Sequence, residues 1–265
     1  MRSKTVASLI LAFAIVACSS VPITGRKHLN LIPSGEMLSM SFQQYGDFMK
    51  NNKVSTDQQQ TALVKKVGAN IQHAVERYFA EKGMSDRLKD YRWEVNLVES
   101  KEVNAWCMPG GKIVVYTGIL PFTQNEAGLA VVMGHEVAHA VAEHGNERMS
   151  QGLLAQLGAA GLSVALQNKP EETKNLWMQA YSVGAQYGAL LPFSRTQESE
   201  ADEIGLVFMA MAGYDPNEAV TFWERMSKNS GGKAPPEFMS THPSDATRIA
   251  DIRKHLPEAL KYYHK

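Results

Sequence analysis

The sequence predicts a mainly α-helical domain with one small β-sheet, an α+β fold. Three observations predict it. Most segments after Ser34 carry apolar residues at helical spacing. Only two short runs, both between residues 91 and 118, read as strands. The chain has 265 residues, 44% of them hydrophobic, so a substantial core can be buried.

Residues 19 to 35, with Pro22, Gly25, Pro33 and Gly35, read as a tether or extended arm. Ser34 to Asn51 and Asp57 to Lys82 read as amphipathic helices. In the second, Leu63, Val67, Ile71 and Val75 recur at four, and Asp57 is placed to cap it. "YRWEVNLVE", 91 to 99, alternates, and "IVVYTG", 113 to 118, is a second strand. Pro109, Gly110 and Gly111 mark a turn, so 93 to 118 is expected as a hairpin or small sheet.

Thr123 with Glu126 forms a capping box for a mostly buried helix expected to run to His144. Its small residues Gly128, Gly134 and Ala138 permit close packing. "GLLAQLGAAGLSVAL", 152 to 166, is apolar but shorter than the ~20 residues of a membrane span. It is expected as a buried hairpin arm or a lipid-facing surface. A helix from "KPEE", 169 to 172, reaches about Leu190, and Pro192 ends it. Thr196 is expected to cap the next, Gln197 to Ala212, which Gly213 stops. Asp215-Pro216-Asn217-Glu218 starts another, "NSGGKAPP", 229 to 236, is a loop, and a last helix follows His242-Pro243 to about Leu256. There is no internal repeat.

Lysine plus arginine (27) balance aspartate plus glutamate (27), and no basic run occurs, which speaks against a nucleic-acid partner. Arg2 and Lys4 precede the apolar run "VASLILAFAIVAC", Val6 to Cys18, the pattern of a secretory signal. Its end, Ile15-Val16-Ala17-Cys18, resembles the bacterial lipobox. That resemblance implies cleavage before Cys18, diacylglycerol on its sulfur, and membrane attachment through this lipid. The expected organisation is a lipoprotein signal peptide over 1–17, a lipid-anchored arm over 18–35 and one domain over 36–265. The expected location is the bacterial cell envelope, at the outer membrane facing the periplasm. Cys107 is then the only other cysteine and has no intrachain partner.

"GHEVAHAVAEHG", 134 to 145, carries the chemistry. On a helix His135 and His139 share one face and can aim at one ion. His-Glu-x-x-His is zinc-hydrolase spacing, and Glu136 is placed as the general base that takes the proton of the attacking water. His144, nine residues after His135, is about 180° round the helix. A catalytic zinc needs a third protein ligand. In "SRTQESEADEIG", 194 to 205, Glu198 and Asp202 lie four apart on one face, whereas Glu200 is rotated away by about 200°. One carboxylate can bind zinc while the other bonds a ligand histidine. Without the upstream motif these acids would read as a solvated face.

"HEVAHAVAEHG", "LPFSRTQESEAD", "STHPS" with Arg248, "VNAWCMPGGKIVVYTGIL" and "GRKHLNLIP" stand in an order that resembles one metallopeptidase family. It is the gluzincin family of HtpX, the CAAX prenyl endopeptidases and the bacterial lipoprotein or periplasmic proteases BepA and LoiP. The resemblance covers roughly residues 25 to 255. No second long apolar segment is present, so the chain resembles the soluble, lipid-anchored branch.

The resemblance implies a zincin-type domain with one Zn2+ held by His135, His139 and Glu198, with Glu136 as general base. It implies that Asp202 orients a ligand histidine. Asn104, Ala105 and Trp106 would belong to an edge strand that pairs with an extended substrate, Asn104 holding its backbone. His242 would lie near the metal, as an oxyanion donor or a fourth ligand that blocks the open position, and Arg248 beside it would assist. The expected function is zinc-dependent endopeptidase action on misfolded or unassembled envelope proteins. A chaperone or assembly factor working with envelope assembly machinery, its zinc site latent or structural, is the alternative. Prenyl-peptide processing is weaker, because no membrane chamber of helices is evident. Cys107 is not expected as a nucleophile, being placed away from the base. His28, His73, His255 and His264 are expected at the surface.

Overall fold

The computed structural model describes residues 18–185, 191–229, 238, 239, 242 and 246–264. The expected signal peptide and most of the 229–236 loop lie outside these. The architecture is mainly helical with small sheets, as the sequence predicts. Contacts divide it into two compact units, 18–34 with 143–197, and 35–142 with 198–264.

In the larger unit, Asp57 accepts the backbone N–H of Gln60 and starts a helix over Gln58–Glu81, α2, after α1 over Ser34–Asn51. The buried face of α2 runs through Val64, Val67, Ile71 and Val75, with Val64 taking the place expected for Leu63. Gly68 lets α2 approach the sheet: a Cβ there would lie 2.7 Å from a Val95 methyl. The sheet holds β3 (Glu94–Val98), β4 (Ala105–Met108) and β5 (Lys112–Tyr116) in the order β3-β5-β4. β4 and β5 form an antiparallel hairpin through the Pro109–Gly111 turn, while β3 runs parallel to β5. Gly110 and Gly111 both have positive φ, which the turn requires.

A short turn of helix, α3, covers Leu120–Thr123, and α4 runs over Glu126–Val141. Asn125 caps α4 by accepting from the Gly128 N–H, whereas Thr123 ends α3. The expected Thr123 capping box is thus two residues too early. α4 also ends sooner than predicted: Ala142 closes it, Glu143 takes a left-handed conformation (φ 60°), and His144 opens a new helix. α4 is buried almost throughout, packed on α2, β4 and α8 (Glu218–Asn229). α7 is described over Leu191–Met211, so Pro192 and Thr196, expected as a stop and a cap, both lie within helix. α9 over Ala246–Ala259 packs on α8.

In the smaller unit the arm is ordered. β1 (Cys18–Ser20) and β2 (Lys27–Leu29) pair antiparallel, a second sheet the sequence does not announce. β2 packs on α5 (His144–Ala165). Arg26 forks onto both oxygens of Glu147, each at 2.7 Å, and Gln197 Nε2 donates to Glu147 Oε2 at 2.7 Å. Ser150 Oγ accepts from the Leu31 N–H, and Asn146 donates to the Ile32 carbonyl. His28, expected at the surface, is 4% exposed with Nε2 3.5 Å from Glu143. α6 over Glu171–Ala185 lies against α5.

Candidate metal centre

Two glycines fix the meeting of α4 and α7. A Cβ on Gly134 would lie 3.0 Å from the Gly205 carbonyl oxygen, and one on Gly205 would lie 2.9 Å from the His135 nitrogen. Only bare backbone permits this approach. It sets His135 and His139 of α4 opposite Glu198 and Asp202 of α7.

Four donors then converge: His135, His139, Glu198 and His242 each offer an atom within 4.8 Å of the others. His135 Nε2 lies 3.1 Å from His139 Nε2 and 3.1 Å from His242 Nδ1. Glu198 reaches His135 Nε2 at 3.3 Å, His139 Nε2 at 3.2 Å and His242 Nδ1 at 2.8 Å. Bonds of about 2.0–2.1 Å around a tetrahedral ion put its donors about 3.3 Å apart, so the group fits one zinc ion. Its electronics agree. Asp202 Oδ1, 2.9 Å from His135 Nδ1, keeps the imidazole proton on that nitrogen and leaves Nε2 a lone pair aimed into the cluster. Electron-rich donors at such spacing call for a cation between them.

Electrostatics follow the same map. Burial raises the Glu198 carboxyl, but its close contacts with the His135, His139 and His242 rings override it and hold it well below the usual carboxylate range. Asp202 is likewise pulled down against its burial, chiefly by the charge of Arg248 and the bond to His135. Glu136 goes the other way: burial pushes it up, only partly opposed by His242 and His135. It is 5% exposed, its Oε1 has no hydrogen-bond partner, and the nearest cation-capable group is His242 Nε2 at 3.4 Å.

Arg248 is placed differently from expectation. Its Nε and Nη2 donate to the two Asp202 oxygens at 2.8 and 2.7 Å, and its guanidinium stacks on Trp223 at 3.7 Å. With those donors it braces Asp202, while its Nη1 lies 3.5 Å from Glu198 Oε2, at the edge of the donor group. Trp223 itself stacks on Phe238, whose ring meets that of His242 at 4.7 Å. The sequence reading misses Trp223, Phe238 and Gly205. An aromatic on an amphipathic helix or a single helical glycine carries no local sign of what it will touch.

Among the described residues β4 is an edge strand, bonded within its sheet to β5. Trp106 packs edge-on against Tyr45 and Phe48, on the face away from α4. Ala105 and Cys107, alternating with it, face α4. Asn104 turns its Oδ1 to the Ala105 N–H, while its carbonyl accepts from Tyr116. Cys107, expected away from the base, instead lies near it: burial and then the neighbouring Glu136 charge raise its thiol pKa well above normal. A thiol held neutral does not serve as a nucleophile. Glu200 is buried but is not in the donor group. His73 and His264 are exposed and His255 half-buried.

The sequence profile of Peptidase family M48 matches residues 65–256. The mitochondrial metalloendopeptidase OMA1 of Schizosaccharomyces pombe is 36% identical over 247 residues, covering 90% of this chain and 66% of its own length. That of Arabidopsis thaliana is 42% identical over 183 residues, 68% of this chain and 36% of its own. The β-barrel assembly-enhancing protease of Escherichia coli is 30% identical over 162 residues, 59% of this chain and 33% of its own. The chain thus spans from about a third to about two thirds of these relatives. The expected outer-membrane location is corrected here: the relatives matched over most of this chain are mitochondrial proteases of fungi, a plant and vertebrates. No helix among the described residues is long and apolar enough to cross a membrane. With a profile that covers both the metal helix and the acid pair opposite it, the chain belongs to peptidase family M48, whose cofactor is zinc.

Proposed function

We propose that this chain is a zinc-dependent endopeptidase acting on protein substrates. The observation that carries this reading is Glu136: a buried carboxylate whose Oε1 makes no hydrogen bond and faces His242 Nε2 at 3.4 Å, beside a four-donor metal group. His135, His139 and Glu198 would hold the ion. When bound, zinc supplies Lewis acidity toward water and a peptide carbonyl. Glu136 takes the proton of the attacking water and delivers it to the leaving nitrogen, a task suited to a carboxyl raised by burial. Asp202 fixes the His135 tautomer, and Arg248 holds Asp202. The outer edge of β4 is where an extended substrate backbone would add, Asn104 to Trp106 contributing main-chain groups. Glu136→Gln tests the reading: it should retain one zinc per chain and lose casein cleavage. Substantial residual cleavage would defeat the assignment.

A latent site is the second reading, and one distance favours it. His242 Nδ1 sits 2.8 Å from Glu198 and 3.1 Å from His135, where it would serve as a fourth ligand and close the open position. In that state the protein would bind unfolded chains without cutting them, as a chaperone or assembly factor does. His242→Ala separates the two roles. A gain in casein cleavage identifies a latch, and a loss identifies an oxyanion donor. For the N-terminal segment, the run ending at Cys18 supports lipid attachment at its sulfur. Mass spectrometry of the mature N-terminus, with or without a diacylglycerol increment on Cys18, decides it.

A further inference from the structure

The hairpin of α5 and α6 leaves several large apolar side chains outside. Leu153, Leu154, Leu157 and Val164 on α5 and Trp177 on α6 are between 42% and 65% exposed. Between Arg148 and Lys169 there is no charged residue. The two helices are held together by small residues and one polar lock. A Cβ on Gly158 would lie 2.1 Å from Tyr181 Oη, and that hydroxyl donates to the Ala155 carbonyl at 3.0 Å. The packing therefore uses glycine and alanine and leaves Leu153, Leu154 and Leu157 turned outward. A soluble surface rarely exposes so many contiguous apolar side chains without a partner.

The chain outside the described residues indicates the partner. In the sequence the apolar run from Val6 ends at Cys18, the first residue of β1, and β1's partner β2 packs directly on α5. The point where an apolar run or its lipid would attach thus lies in the same unit as this uncharged apolar face. We propose that the α5–α6 hairpin is a membrane-interface element, lying in the headgroup and acyl boundary of a phospholipid bilayer. It is too weakly apolar to cross the bilayer and is suited to rest on it. Trp177, amphipathic and 56% exposed, is the side chain expected at that boundary.

The test uses the full chain and vesicles of phosphatidylcholine brominated along the acyl chains, read by tryptophan fluorescence. The proposal expects a blue shift and quenching that disappear in Trp177→Phe. It expects Leu157→Glu, at an exposed position that tolerates the change, to weaken that quenching about tenfold in lipid concentration. If the protein floats with vesicles while Trp177 stays unquenched, attachment runs through the N-terminus alone and the proposal is overturned. No flotation also overturns it. So does an oligomer that Leu157→Glu dissociates while Trp177 remains unquenched, because the face then belongs to a second copy.

Discussion

Gly134 and Gly205 touch backbone to backbone, a Cβ on either reaching within 3.0 Å of the other helix's main chain. This one contact sets the distance between the helix that carries the histidines and the helix that carries the acids. Neither glycine is a ligand, yet the spacing of all the donors depends on them. Gly205→Ala forces main chain against main chain, which has little room to yield. The expected loss is about 1–3 kcal/mol of stability. A further drop in zinc affinity is expected, because donors displaced by a few tenths of an ångström no longer match one ion. Differential scanning calorimetry and competition with a zinc chelator check both. An unchanged zinc affinity would show that the donors do not depend on this crossing.

Asp202 is expected to matter more than its distance from any substrate suggests. It joins His135 Nδ1 to the Arg248 fork. Asp202→Ala removes the acceptor for the imidazole proton and leaves a buried guanidinium uncompensated. Zinc affinity should fall roughly 10–100-fold, and stability should fall as well. Asp202→Asn, which keeps one acceptor oxygen, should lie between Asp202→Ala and the parent in zinc affinity. Equal affinity in parent and Asp202→Ala would remove Asp202 from the metal centre.

Trp223 supports the same line from the far side, its ring under the Arg248 guanidinium at 3.7 Å. Trp223→Ala should cost about 3–5 kcal/mol from lost packing. Trp223→Phe keeps an aromatic face for the cation and should recover part of both stability and zinc affinity. If stability recovers and zinc affinity does not, the ring acts on packing alone.

The parts legible in the sequence are those set by local spacing. Asp57 caps its helix as expected, and His135, Glu136 and His139 share a helix because a four-residue interval requires it. Glu198 and Asp202 lie on the side of α7 that meets α4, by the same periodicity. The misses are tertiary or concern helix ends. Nothing in the composition of 126 to 144 shows that Glu143 adopts a left-handed turn and splits one predicted helix into two. Pro192 reads as a terminator, yet helix runs on from it to Met211. The role of Arg248 is hidden because its spacing to His242 carries no information about the side chain that claims its guanidinium. His28 is buried by an arm whose docking rests on Glu143 and Glu147, more than a hundred residues away in the chain.

That docking predicts an acid-sensitive contact. Burial raises the Glu147 carboxyl, but the Arg26 fork and the Gln197 amide outweigh it and hold the folded-state value below normal. A carboxylate depressed on folding contributes stability above its unfolded pKa, near 4.3, and loses it as pH falls through the lower folded value. Glu147→Gln deletes this contribution and keeps the size of the side chain. At pH 7 the variant should melt below the parent, and the gap should close as pH falls below about 4. Introducing Arg26→Ala into both the parent and Glu147→Gln should remove most of the gap between them at pH 7, because the two residues form one pair. Thermal melts of the four proteins across pH 7 to 3 measure it. A gap independent of pH would mean that Glu147 acts through packing, not through its charge.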